Sequence, residues 1–239
     1  MGVCLNLTVP IDEILVPQGS EYQAVCRGLS CVATPKPLVL PIPVGPKPLT
    51  RYLERLQQAG HFGHYPQPRV LLMGLCGSLS PDYAIGDIVF YQECVYESNA
   101  STSLLSSCDR VLTTLLHHKL KQRSFEVRGL TSDRLIWSKD EKRELGQIYN
   151  AGVVDMEGFA ALRVLNQAGI SVAMLRVVSD DCHHNLPNLT SALSPDGLLQ
   201  PFPLALGLLR QPFAAAGLIR GALRGLQVLQ QVTTLLFSG

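Results

Sequence analysis

The run Val153-Val154-Asp155-Met156-Glu157-Gly158-Phe159-Ala160-Ala161 is followed, one helix length later, by Leu175-Arg176-Val177-Val178-Ser179-Asp180, and the reading of these two segments decides the fold. Gly152 to Val154 ends a short extended segment. Met156 to Ala168 carries apolar residues at Phe159, Leu162 and Leu165, which is helical spacing, and stops at Gly169. Ile170 to Val178 is a strand-length apolar run broken only by Ser171 and Arg176. Strand, helix and apolar strand in that order predict a βαβ unit whose strands run parallel with both faces covered. Ligands of open α/β sheets bind beyond the carboxyl ends of the strands, so Glu157 and Asp180 are expected on the same edge of one sheet.

Working outward toward the N-terminus, Val70-Leu71-Leu72-Met73 reads as a buried strand that runs into Gly74-Leu75-Cys76-Gly77-Ser78-Leu79. Small residues after a strand let a ligand approach the backbone, and they equally serve a tight turn. Ile14-Leu15-Val16-Pro17 is the first strand candidate, and Ser20-Glu21-Tyr22-Gln23 has the S-x-x-Q form of a capping box. That puts Glu21 at a helix start. Prolines between Thr34 and Pro48 exclude a regular helix there, Leu38 to Leu40 is a candidate edge strand, and Leu49 to Ala59 a short amphipathic helix. Strands are also predicted from Gly86 to Tyr96 and from Phe125 to Leu130, with a polar loop over Ser98 to Ser107 and a helix over Val111 to Lys121.

Composition sets outer bounds. Hydrophobic residues form 46% of the 239 residues, charged residues only 16%, and the net charge is +1, which leaves no charge field to recruit nucleic acid. The seven cysteines are odd in number and lack CxxC spacing, and no basic and apolar leader pattern is evident, so a cytoplasmic chain with reduced thiols is expected. Asp181-Cys182-His183-His184 lacks the spacing of a zinc site, and no metal is expected. Residues 197–239 contain no acid and three arginines, Arg210, Arg220 and Arg224; Arg210, Pro212 and Arg220 interrupt the apolar tract, so it does not span a membrane. The segment reads either as a core-packing final helix or as a basic amphipathic helix resting on a membrane surface or another subunit. No repeat or linker divides the chain, so one domain, 1–239, with 197–239 as a C-terminal helical extension, is the simplest account.

Five fragments in order, Gly74-Leu75-Cys76-Gly77-Ser78-Leu79, Gly86-Asp87-Ile88-Val89, Thr131-Ser132-Asp133, Val154-Asp155-Met156-Glu157-Gly158 and Arg176-Val177-Val178-Ser179-Asp180, resemble the purine nucleoside phosphorylase and methylthioadenosine/adenosylhomocysteine nucleosidase superfamily. The resemblance implies an α/β fold, a three-layer α/β/α sandwich around a twisted mixed central sheet with distorted barrel character. It implies cleavage of the N-glycosidic bond of a purine, adenine-type nucleoside by hydrolysis or phosphorolysis, with no cofactor and with phosphate as a possible co-substrate. A homo-oligomer is implied by the same analogy. Leu186-Pro187, Ser194-Pro195-Asp196-Gly197 and Leu209-Arg210-Gln211-Pro212 are in addition similar to the hopanoid-associated phosphorylase branch, whose implied substrate is adenosylhopane.

Carried over position by position, Asp180 lies against the purine and protonates or hydrogen-bonds N7, with Ser179 beside it. Glu157 accepts the ribose 2′- and 3′-hydroxyls and Met156 packs on the sugar. Leu135, Ile136 and Trp137 occupy the segment that stacks on and edges the base. Glu21 matches the acid that positions water in the nucleosidases. Gly74, Leu75, Cys76 and Gly77 form the loop beneath the ligand. Phosphate-binding members commonly have an arginine and a serine around this loop where this chain has Leu72 and Leu75, although backbone amides there and Arg69, Arg128 or Arg134 remain candidate anion donors. The alternative is a nucleoside-binding or regulatory module that kept the pocket without turnover.

Overall fold

The computed structural model describes residues 11–33, 35–96, 104–120, 124–188 and 208–238. Residues 97–103, which begin the expected polar loop, and 189–207, with the Ser194 to Gly197 match and the start of the C-terminal extension, lie outside the described residues.

The strands are β1 (Glu13–Pro17), β2 (Leu38–Ile42), β3 (Arg69–Ser78), β4 (Ile88–Tyr96), β5 (Leu104–Ser107), β6 (Ser124–Thr131), β7 (Val153–Asp155) and β8 (Ser171–Asp180). The helices are α1 (Ser20–Ser30), α2 (Pro46–Gln58), α3 (Arg110–Lys119), α4 (Lys139–Tyr149), α5 (Gly158–Gln167) and α6 (Pro212–Phe237), with a 3₁₀ turn at His61–His64. The sheet runs β2-β1-β3-β7-β6-β4-β5, and β8 pairs with both β3 and β4. The strands β3, β7, β6, β4 and β8 therefore close on themselves, and β2, β1 and β5 extend the ring as open sheet. This is the expected mixed α/β sandwich with barrel character.

Strand alternation explains the layers. Leu71 and Met73 of β3 join Ala24 and Val25 of α1, Leu112 and Leu116 of α3, and Leu229 and Val232 of α6 on one side. Val70 and Leu72 point the other way, toward Leu49 and Leu53 of α2 and Phe159 and Leu162 of α5. Period two with both faces apolar is the signature of a strand covered on both sides. The acid-free C-terminal segment thus supplies a packing helix. α6 lies on α1 and on the end of β8, with Gly221 closing onto the Ser179 carbonyl and Gly225 onto Leu75. No helix among the described residues is long and apolar enough to cross a membrane.

Several expectations are corrected. The segments β7 and β8 do not form a parallel βαβ pair: β7 runs antiparallel to β3, whereas β8 runs parallel to it. The Gly74 to Leu79 segment is no turn, because β3 continues through it to Ser78 with an irregularity between Cys76 and Gly77. The capping box is not formed either, since α1 is capped by Gly19 without a side-chain bond. Helix α2 begins at Pro46, earlier than expected, because proline is tolerated in a first helical turn. Leu104 to Ser107, expected in a loop, pairs with β4 as an edge strand.

Candidate active site

The site is built around Arg176. In the β3–β8 ladder Gly74 stands opposite Arg176, and the absence of a side chain at Gly74 leaves the space that the guanidinium occupies. Arg176 is fully buried, and a buried guanidinium demands anionic partners. Its Nη2 lies 2.9 Å from Asp155 Oδ2 and 3.3 Å from Glu157 Oε2. Burial works against its charge, but Asp155 and Glu157 outweigh that and hold the guanidinium protonated. Among the described residues, its buried Nε and Nη1 have no hydrogen-bond partner.

Asp155, at the end of β7, is the anchor of this cluster. Its Oδ1 accepts from Thr131 Oγ1 at 2.7 Å and from the Gly158 amide at 3.1 Å. Glu157 follows at the N-cap of α5, and its Oε1 accepts from the Gly45 amide at 3.1 Å. Burial pushes its carboxyl up to about 7, against the pull of Arg176 and with the added repulsion of Asp155 and Glu21. Glu21, in the first turn of α1, turns inward instead of capping its helix. Its Oε1 accepts from the Leu75 amide at 2.6 Å and lies over Gly74 beside Arg176 Nη1. Burial raises its carboxyl above the usual range, partly offset by Arg176. One cation is thus surrounded by three carboxylates from α1, β7 and the start of α5.

Asp180 sits farther along the same strand pair, where β8 is in register with Gly77. Three steps of extended chain lead from Gly74 to Gly77, a distance of about 10 Å. The Asp180 carboxylate faces the Gly77 backbone, Ser179 Oγ lies 3.0 Å from Asp180 Oδ1, and the Lys142 ammonium of α4 is bonded to Asp180 Oδ2. Beside Asp180 opens a cavity of about 640 Å³ lined by Ile85, Leu186, Phe213, Ala214 and Leu218, with Lys139, His183 and Arg220 among its polar residues.

Most of the predicted site residues come together, for a different reason than expected. Glu157 and Asp180 do not share an edge through parallel strands; they converge because β3 has β7 on one side and β8 on the other. Met156 and Leu75 are half-buried at this place, and Cys76 is a buried thiol pushed well up by burial. In the segment after β6, Leu135 and Trp137 are half-buried, whereas the Ile136 side chain is in a small core with Leu79, Leu145 and Val154. Three of the candidate anion donors are engaged: the Leu75 amide by Glu21, Arg128 by Glu93 and Arg134 by Glu141. The residues that sequence reading missed are Asp155, Arg176 and Lys142. Arg176 left a signal, as the single charge inside an apolar strand; Lys142, in a helix with alternating charges, left none.

The model of the family described as the Phosphorylase superfamily matches residues 32–192. Among solved structures, the 5′-methylthioadenosine/S-adenosyl homocysteine nucleosidase of Helicobacter pylori, complexed with a pyrrolo-pyrimidinyl pyrrolidin-3-ol compound, is similar with a TM-score of 0.67 at 15% identity, over 94% of this chain and 96% of that one. The futalosine hydrolase of the same organism gives 0.63 at 17% identity over 92% and 95% of the two chains. The S-adenosylhomocysteine nucleosidase of Streptococcus pyogenes, in complex with 5-methylthiotubericidin, gives 0.63 at 16% over 93% and 95%. At these identities the likeness is one of fold. No curated protein matches the sequence.

Proposed function

This chain belongs to the Phosphorylase superfamily, and on that premise we propose that it cleaves the N-glycosidic bond of a purine nucleoside with water as the nucleophile. The observation that carries this reading is the Nη1 of Arg176, without a partner among the described residues, lying with Glu21 over Gly74. A water held there is oriented by the guanidinium, and Glu21, its affinity for protons raised by burial, accepts the proton as the oxygen attacks. Phosphate is disfavoured at the same place. Three carboxylates against one arginine repel an anion, while they stabilise the cationic, oxocarbenium-like sugar of the transition state.

The remaining roles follow from position. Glu157 accepts the ribose hydroxyls, with Met156 against the sugar. Asp180, a strand segment away, meets the purine and delivers a proton to N7, supported by Ser179. Leu135 and Trp137 border the base, and Gly74 to Gly77 form the floor. No cofactor enters these steps. The apolar walls contributed by Phe213, Ala214 and Leu218 support a nucleoside with an apolar substituent, of which adenosylhopane is the extreme case. The docking of α6 on α1 and β8 supports a single domain that includes its C-terminal helix.

The test is to mix the purified protein with adenosine, methylthioadenosine or adenosylhopane, with and without phosphate, and measure free adenine. Release of adenine and free sugar at a rate indifferent to phosphate is expected. A strict phosphate requirement overturns the assignment of water, and adenine binding by calorimetry without cleavage overturns turnover in favour of a binding module. Asp180→Asn is expected to slow release by about 10² to 10⁴.

A further inference from the structure

We propose that Lys142 is a positioning residue for departure of the base, and that the proton received by the purine starts on its ammonium and passes through Asp180; this rests on the reading of Asp180 as the acid at N7. Lys142 is fully buried on α4, one turn from Leu145 on the same inward face. Around Leu145 the surroundings are Leu79, Val95, Leu130, Ile136, Ala151 and Val154, so α4 is held by apolar packing and an apolar residue at 142 would serve that purpose better than a charge. The ammonium is instead committed to one end of β8: it bonds Asp180 Oδ2 and donates to the Asp181 carbonyl oxygen at 2.9 Å. With Ser179 Oγ at 3.0 Å from Oδ1, both oxygens of Asp180 are fixed. The carboxylate keeps 13% of its side-chain surface exposed and lines the cavity, whereas Lys142 keeps 1%. Lys142 therefore reaches a ligand only through Asp180.

The proton inventory closes. Nζ–H passes to Asp180 Oδ2, the resulting carboxylic acid gives its proton to N7, and the C1′–N9 electron pair leaves with the purine. Lys142 is left as an amine, Asp180 as a carboxylate and the base as a neutral molecule. The ribosyl cation is captured by water, whose proton goes to Glu21. Lys142 regains its proton from solvent by way of Asp180 after the base departs.

The experiment compares methylthioadenosine with 4-nitrophenyl β-riboside, whose leaving group departs without protonation. Lys142→Met is expected to lower kcat on methylthioadenosine by about 10²-fold or more and to leave the nitrophenyl riboside within about threefold of wild type. Lys142→Arg keeps the charge without releasing a proton and is expected to share the deficit. Equal losses on both substrates reduce Lys142 to a structural role, and recovery by Lys142→Arg overturns the proton transfer. Should Lys142→Met fail to fold, Lys142→Gln carries the same comparison. If wild type cleaves neither substrate, the nucleosidase reading itself falls with the proposal; if it cleaves both, only the role of Lys142 is at stake.

Discussion

Gly74 and Arg176 are cross-strand partners, and the guanidinium fills the space that a side chain at Gly74 would take. Gly74→Ala therefore forces Arg176 away from Asp155 and Glu157. We expect a loss of stability of about 1–3 kcal/mol, the usual cost of overpacking, together with loss of turnover well beyond what the melting temperature accounts for. Thermal unfolding and adenine release on the same preparation check this. An alanine variant with unchanged activity would show that the guanidinium is not held by this contact.

Removing the cation is harsher. Arg176→Met leaves Asp155 and Glu157 facing each other without compensation inside the ring, and breaking a buried pair in this way costs about 3–5 kcal/mol. Arg176→Lys is expected to recover only part of it, because the shorter side chain does not place its ammonium where Nη2 bridges both carboxylates. Chemical denaturation at fixed pH measures both.

Glu21→Gln separates water activation from binding. The amide still accepts from the Leu75 N–H, so the geometry around Gly74 is kept. Hydrolysis is expected to fall by about 10² to 10⁴ while adenine binds as to wild type by calorimetry. Equal loss of both sinks the role assigned to Glu21.

Glu157 ties activity to pH. A glutamate of the unfolded chain titrates near 4.5 and this one near about 7, so the folded protein holds the proton more tightly. Its contribution therefore favours folding fully below about pH 4.5 and is lost as pH rises through about 7. Glu157→Gln removes that dependence, and its stability relative to wild type is expected to improve by roughly 3 kcal/mol between acid and mildly alkaline conditions. On the proposed role of Glu157 at the ribose, wild-type turnover is expected to move oppositely, declining below about pH 7 as that carboxylate is neutralised. A flat profile across that range would remove Glu157 from the ribose.

Much of the fold was legible because it is written in short-range pattern. The apolar runs of β3 and β8 and the glycine after α5 need no tertiary information. Direction is another matter: β7 has three residues, too few to encode which neighbour it runs with, and only the closed ring reveals that it opposes β3. From its sequence position Glu21 reads as a helix-start acid, and only the resemblance gives it a role at the site; its partner is an amide 54 residues away. Lys142 lies within Lys-Asp-Glu-Lys-Arg-Glu, a composition that reads as a solvated face, and its inward turn depends on Asp180, 38 residues later.

The ring formed by β3, β7, β6, β4 and β8 has a consequence for how the molecule opens. A strand in a closed ring is released only when two ladders break together, so its amide protons are expected to exchange through global unfolding, while β2 and β5, each paired on one side, exchange through local fraying. Asp155 and Arg176 belong to the ring, and their alignment is as durable as the fold. Asp180 ends a ring strand and is gripped from outside by α4, with α6 closing onto the neighbouring Ser179, so the Asp155–Arg176 pair is held by the ring itself, whereas the Asp180 carboxylate is held also by helices outside it.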